Sequence, residues 1–406
     1  QISGCVTSQK THLVYGLGRD VRYRLYVLSS GEKARKVLEE YRFLDENVRY
    51  YPAKDMLFYQ ADIRGKELVA QRMEALQMLL AGEGGTLITT VDAFMDSLLP
   101  LKEIESRLLH IGYGETLDFE KLKADVSALG YEREVQVEAP GQFAIRGGIL
   151  DIWALTEETP VRIEFWGDEV DSIRTFDAES QRSIENLKEI TVYPADEFPE
   201  EKNRVSFLDY FSPEETVIYL DEPARLLERG AEVEAEVLKA RENRENEEES
   251  RTREFPEPVF YTTEEMVKKL NRFSLVGLCA LETRCRPFLI RGLYSVQARS
   301  VNPYNGSFEL LTQDLKRLKR GGSRVVLLSG SRTRAKRLAE DLRDYNLSSF
   351  YSDDMEREVR PGEILVAYGH VEAGYEYPLI KFVVISETDI FGRTRKKRKR
   401  KTYEGQ

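Results

Sequence analysis

The sequence predicts an α/β multidomain protein: an open, mostly parallel α/β unit, a small antiparallel α+β unit, and a second open α/β unit. Three observations carry this. The 406 residues exceed one ordinary domain. Short apolar runs alternate with helix-period stretches near both ends of the chain. Between them the pattern switches to period two. Hydrophobic residues are 41% of the chain, enough for folded cores, and the 32% charged residues are spread throughout. No run reaches the roughly 18 apolar residues a membrane helix needs, and the chain opens on Gln1 with no signal-peptide pattern, so we expect a piece trimmed from something longer.

The first unit opens with the strand Leu25-Tyr26-Val27-Leu28, a Ser29-Ser30-Gly31 turn and a helix from Glu32 to Tyr41. Val48 to Tyr51 is extended and Pro52 stops it. Lys66 to Leu80 places Val69, Met73, Leu76 and Leu80 on one helical face. Thr86 to Thr90 is a buried strand, and Val91 to Leu98 returns to helix. In the second unit a helix spans Leu117 to Leu129, with Phe119, Leu122, Val126 and Leu129 inward and Gly130 as its stop. In Val161-Arg162-Ile163-Glu164-Phe165-Trp166 the alternation turns Val161, Ile163 and Phe165 inward, and Gly167-Asp168 turns the chain into Val170 to Arg174. Thr216 to Leu220 is an apolar strand ending in Asp221-Glu222. Residues 232–254 are Glu-rich, a long solvated helix or a partly disordered excursion, ended by Pro256 and Pro258. Thr262-Thr263-Glu264-Glu265 has the form of a capping box. In the last unit Val325 to Gly330, Ile364 to Ala367 and Phe382 to Ile385 are strands and Arg332 to Tyr345 a helix. This repeats the layout of Leu25 to Tyr41.

The inventory of chemistry is short. Cys5, Cys279 and Cys285 form no CxxC pair, and His12, His110 and His370 are far apart, which argues against a structural zinc site or disulfides. The thiols read as small buried apolar groups suited to a reducing compartment. The Gly16, Gly31 and Gly82–Gly85 segments fail the Gly-x-x-x-x-Gly-Lys-Ser/Thr spacing of a phosphate loop. Asp221-Glu222 has the shape of a magnesium-holding pair, but acids commonly end strands. No nucleophile elbow, Cys/His pair or His-Glu-x-x-His is present. The expected catalytic, cofactor and metal sites are therefore none, and binding or scaffolding is the default. Charge points the same way. The run Arg393 to Lys401 holds eight positive charges; without it and the Glu404 that comes after it, residues 1–392 sum to −18. So acidic a body repels phosphate, leaving the basic run, read mainly as a solvated linker, as the expected place for a weak DNA contact.

One surface stands out. Ala144 and Arg146 alternate with Phe143 and Ile145, so Arg146 points off the core, as do Arg162 and Trp166 on a nearby strand. Two arginines and a tryptophan on one outward face have hot-spot composition. The competing reading covers that face with the helix Leu117–Leu129, or has Glu164 neutralise Arg162.

At these residues the chain resembles a family. Arg146-Gly147-Gly148-Ile149-Leu150-Asp151-Ile152 and Val161 through Asp177 are similar to a module of the excinuclease protein UvrB. Tyr51-Pro52-Ala53-Lys54-Asp55, Ser180-Gln181-Arg182-Ser183, Tyr193-Pro194-Ala195-Asp196-Glu197-Phe198 and Ser386-Glu387-Thr388-Asp389-Ile390-Phe391-Gly392 draw it closer to the bacterial transcription-repair-coupling factors (Mfd). The resemblance covers essentially the whole chain.

It implies a degenerate helicase-like (RecA-like) domain at 1–111 that resumes at 193–300. The inserted α+β domain at 112–192 would bind the excinuclease protein UvrA. A third α/β domain would occupy 301–392 and a basic linker 393–406. It also implies a cytoplasmic, non-catalytic recruiting module, with Arg146, Arg162 and Trp166 contacting UvrA and contributing to autoinhibition. ATP, Mg, RNA polymerase and most DNA contacts would belong to domains outside this chain. The alternative is an ATP-dependent, damage-binding enzyme like UvrB. UvrB has an intact phosphate loop and a long aromatic DNA hairpin. Here the matching Tyr51–Gly65 region is short and holds only Tyr51, Phe58 and Tyr59.

Overall fold

The computed structural model describes residues 1–54, 63–198, 202–248 and 260–392. Phe58, Tyr59, Pro256, Pro258 and the basic run Arg393 to Lys401 lie outside the described residues.

The first sheet has seven strands, all parallel, in the order Tyr294–Ser295, Ile2–Ser3, Ser274–Leu278, Thr216–Asp221, Tyr23–Leu28, Gly85–Thr90, Val48–Tyr51. Parallel strands are covered on both faces, which is why these read as unbroken apolar runs. Leu25, Val27 and Leu87 face one core, with Met73, Leu76 and Phe94. Tyr26, Leu28 and Ile88 face the other, with Val14, Ala34 and Tyr41 from the helices Thr7–Leu17 and Gly31–Tyr41. Ser30 caps the latter by accepting from the Lys33 amide.

Between Gly85–Thr90 and Thr216–Asp221 the chain leaves this sheet and builds a second unit. It departs and returns through paired antiparallel strands, Leu109–Gly112 and Glu189–Val192. The six-stranded sheet beyond runs Ser183–Asn186, Glu169–Phe176, Val161–Trp166, Ile149–Ile152, Gln142–Arg146, Glu132–Arg133, antiparallel except for the last pair. The helix Phe119–Ala128 packs on one face of it through Leu122 and Val126. Gly130 terminates it at φ +92°, where a Cβ would strike Asp196.

The third sheet runs Arg299–Ser300, Tyr375–Tyr377, Phe382–Ser386, Arg324–Ser329, Ile364–Tyr368, Ser349–Tyr351. Its helices Phe308–Arg320 and Arg332–Asp344 share one core on one face. The other face looks toward the first unit: His12 stacks on Tyr375 at 5.9 Å and Phe43 meets Tyr368 edge-on at 5.1 Å.

One expectation needs adjustment, and two find their outcome in the helices described after it. The helix after Thr90 stops at Met95, and Ser97–Leu98 forms a strand with Val205–Ser206. Asp96 breaks it by accepting from the Ser97 amide while bonding Arg72. The Glu-rich stretch is helical as far as Glu248, continuing Pro223–Glu248. Thr262 caps Thr263–Leu270 through the Glu265 amide.

Where the inserted unit rejoins the first, Arg72 is 1% exposed beneath Tyr51 and bonds Glu197 and Asp96. Lys54 reaches the other Glu197 oxygen at 3.0 Å. Burial alone would raise the Glu197 pKa, but the Arg72 and Lys54 charges outweigh it and hold the carboxyl at about 2. A depressed carboxyl stabilises the fold above its unfolded value, ~4.3, and loses that contribution as pH falls toward 2. Glu197→Gln should therefore cost about 3 kcal/mol at pH 7 and flatten the loss of stability between pH 4.5 and 2. Urea unfolding of both proteins across that range checks this.

Candidate partner-binding face

The two-residue hairpin Gly147-Gly148 sets the geometry of the face. Gly147 takes φ +59°, and Gly148 comes so close to the Phe165 carbonyl that a Cβ would sit 2.8 Å from its oxygen. The hairpin pairs Arg146 with Ile149 and Ala144 with Asp151. The next strand sets Arg162 opposite Asp151 and Glu164 opposite Ile149. Directly paired residues share a face. Arg146, Asp151, Arg162, Glu164 and, two residues on, Trp166 therefore lie on one side. The helix Phe119–Ala128 occupies the other, with Phe119 4.7 Å from Phe165. The competing reading that this helix covers the arginines is excluded.

Trp166 is 82% exposed at the rim. The Arg146 side chain is 53% exposed and donates Nη2 to Asp151 Oδ2 at 3.1 Å. Arg162 departs from the expectation of an exposed, free fork. It donates Nε and Nη2 to the two Asp151 oxygens at 2.8 and 2.9 Å, and Nη2 to Gln181 Oε1 at 2.7 Å. Its guanidinium lies 4.4 Å above the Phe176 ring and its side chain is 13% exposed. The Asp151 hydrogen bonds hold its pKa above the ordinary arginine value. Glu164 is taken by Arg174 instead. Arg162 therefore shapes the face from within, and Arg146 and Trp166 are its outward groups.

Asp151 and Gln181 escaped sequence reasoning as site residues. Asp151, only 4% exposed in its side chain, is the anion both arginines share. Reading Gly147-Gly148 as a two-residue turn would have paired Asp151 with Ala144, two residues from Arg146 and on its face. Nothing local marks Gln181, which arrives from a distant turn at φ +61°.

A second arrangement sits at the end of the first sheet. Gly4-Cys5-Val6-Thr7-Ser8-Gln9-Lys10-Thr11 departs from the phosphate-loop pattern at one position, Gln9 in place of glycine, a near-match the glycine survey missed. The residues do not form a cradle. Helix starts at Thr7, and the Lys10 amide bonds the Val6 carbonyl. The amides of Gly4 and Cys5 go to Ala280 and Cys279, and that of Val6 to the Gln9 side chain. Lys10 Nζ lies 2.7 Å from Asp221 and 2.8 Å from Glu222. Burial would lower the Lys10 pKa, but the two carboxylates win and raise it. The pair that resembled a magnesium site thus holds an internal cation. All three cysteines are free and buried, as expected.

Residues 109–198 match the family described as the UvrB interaction domain. The chain is 27% identical to the transcription-repair-coupling factor of Bacillus subtilis (strain 168), over 98% of this chain and 39% of that protein. It is 23% identical to that of Staphylococcus haemolyticus (strain JCSC1435), over 89% and 35% respectively. Over a shorter stretch, 44% of this chain, it is 30% identical to that of Haemophilus influenzae. The chain spans about two fifths of the length of the first of these relatives. The resemblance drawn from the Arg-Gly-Gly and Arg-x-Glu-Phe-aromatic segments is borne out.

The three face residues should separate on folding stability. Arg162→Ala leaves a buried carboxylate half-neutralised and should cost about 3 kcal/mol. Trp166→Ala should stay within about 0.5 kcal/mol of the parent, being exposed. Urea denaturation distinguishes them, and equal losses would mean that Trp166 packs in the core.

Proposed function

We propose that this chain, similar along nearly its whole length to the N-terminal module of transcription-repair-coupling factors, is a non-catalytic recruiting module that docks the excinuclease protein UvrA. The observation that carries the reading is the exposed Trp166 beside Arg146, held by a buried Asp151–Arg162 pair within the residues that match the UvrB interaction domain. Trp166 supplies a flat apolar anchor, and Arg146 keeps free N–H donors for a carboxylate on the partner. Arg162 acts through Asp151, fixing where Arg146 stands. In the parent protein, motor domains outside this chain would supply ATP hydrolysis with Mg and engage RNA polymerase and DNA, and the module would work in the cytoplasm. The same face would contribute to autoinhibition while masked by a distal domain. Any DNA contact of the module itself falls to Arg393 to Lys401.

A second reading, a nucleotide-dependent enzyme like UvrB, is favoured by the single departure of Gly4 to Thr11 from the phosphate-loop pattern. The spent loop amides and the Lys10–Asp221–Glu222 ion pairs weigh against it.

Two measurements separate these readings. In a titration with purified UvrA, Trp166→Ala and Arg146→Ala should each weaken binding by about 1–4 kcal/mol without unfolding the chain. Wild-type affinity in both variants would move the docking site elsewhere. Mg-ATP added to the chain at millimolar concentration should give no binding heat and no phosphate release. Micromolar affinity lost in Lys10→Ala would establish the enzyme reading.

A further inference from the structure

The seam between the first and third α/β units brings together residues that the sequence keeps apart. Glu39 stands on the helix Gly31–Tyr41, and His370 and Glu372 come after the strand Ile364–Tyr368. One potential ligand atom from each lies within 4.8 Å of the other two. Among the described residues, no arginine or lysine pairs with either carboxylate and no hydrogen bond occupies the imidazole. Two carboxylates at this distance repel each other unless a cation stands between them.

The backbone that presents them is fixed. The Glu372 amide donates to Glu40 Oε1 at 2.7 Å and the Ala373 amide to Ser8 Oγ at 3.1 Å. The Gly369 amide bonds the Ser329 carbonyl at 3.0 Å and the Gly374 amide bonds Asp389 at 2.8 Å. His370 and Glu372 therefore project from a loop pinned at both ends, while Glu39 is exposed and its rotamers are open. His370 also lines a cavity of about 530 Å³ along the seam, which gives an ion and its water a way in.

We propose that Glu39, His370 and Glu372 form a divalent transition-metal site, best suited to zinc, that clips the first α/β unit to the third. One imidazole and two carboxylates offer only nitrogen and oxygen donor types that zinc takes, with the fourth position left to water. The imidazole favours zinc over magnesium, which prefers oxygen donors alone. Metal–ligand bonds of about 2.0–2.2 Å would place tetrahedral donors about 3.3–3.6 Å apart, a closure within reach of the exposed Glu39 side chain. The cysteine and histidine spacing gave no hint of this, because two of the three ligands are glutamates and the domain seam joins them.

The test uses the chain stripped with EDTA and titrated with zinc chloride against a chromophoric chelator, with the bound metal counted by mass spectrometry. One zinc per chain with micromolar or tighter affinity is expected, together with a zinc-dependent rise in Tm. His370→Ala and Glu39→Gln should each weaken binding by at least about tenfold, whereas His110→Ala, on a remote exposed histidine, should not. Glu39→Gln decides the matter should His370→Ala fail to fold, because Glu39 is exposed. No stoichiometric zinc at about 100 µM would overturn the proposal. So would zinc binding unchanged by these two variants, or zinc binding abolished by Cys279→Ser.

Discussion

A carboxylate withdrawn from water must find cations or lose its charge, and at Asp151 the cations are arginines of the same sheet. Its two oxygens are filled by Arg162 in a bidentate pair, with Arg146 sharing one of them. That arrangement fixes Arg162 over Phe176, draws Gln181 in from its turn and sets where Arg146 leaves the sheet. Arg146, one of the two outward groups of the face, owes its position to a group no partner can touch.

The same constraint recurs where the chain joins its units. Arg72 and Lys54 neutralise Glu197 where the inserted unit meets the first sheet. Lys10 bridges Asp221 and Glu222 where a nucleotide-binding protein would keep a lysine and an acid apart for phosphate and metal. Once Lys10 is committed to those acids and helix begins at Thr7, the loop amides have no reason to stay open. The helix then becomes a docking surface, with His12 against Tyr375 and Tyr377, and Ser8 and Thr11 joined to Glu40.

Much of this was legible in the sequence, and the limits are instructive. Strands such as Tyr23–Leu28 and Arg324–Ser329 read clearly because burial on both faces leaves an unbroken apolar run. Period-two alternation placed Arg146, Arg162 and Trp166 on one side because the strand Val161–Trp166 keeps its pleat to the end; the bulge falls in the partner strand, between Ser172 and Val170. Alternation reports direction and not environment, so it could not tell an arginine facing water from one facing Asp151. Lys10 went unread for a related reason. A motif search asks for glycines, whereas Gly4, Lys10 and Thr11 keep the pattern's spacing with Gln9 at the second glycine's position, where its side chain takes the Val6 amide.

The most direct test is the UvrA affinity of Asp151→Asn, with the variant shown to be folded, set beside Arg146→Ala and the double variant. The substitution is isosteric and lies too deep to meet a partner, so a passive role predicts wild-type binding. The account predicts weaker UvrA binding in Asp151→Asn, and a double variant that loses less than the sum of the two single losses, because both act on the position of one guanidinium. Full affinity in folded Asp151→Asn would contradict it.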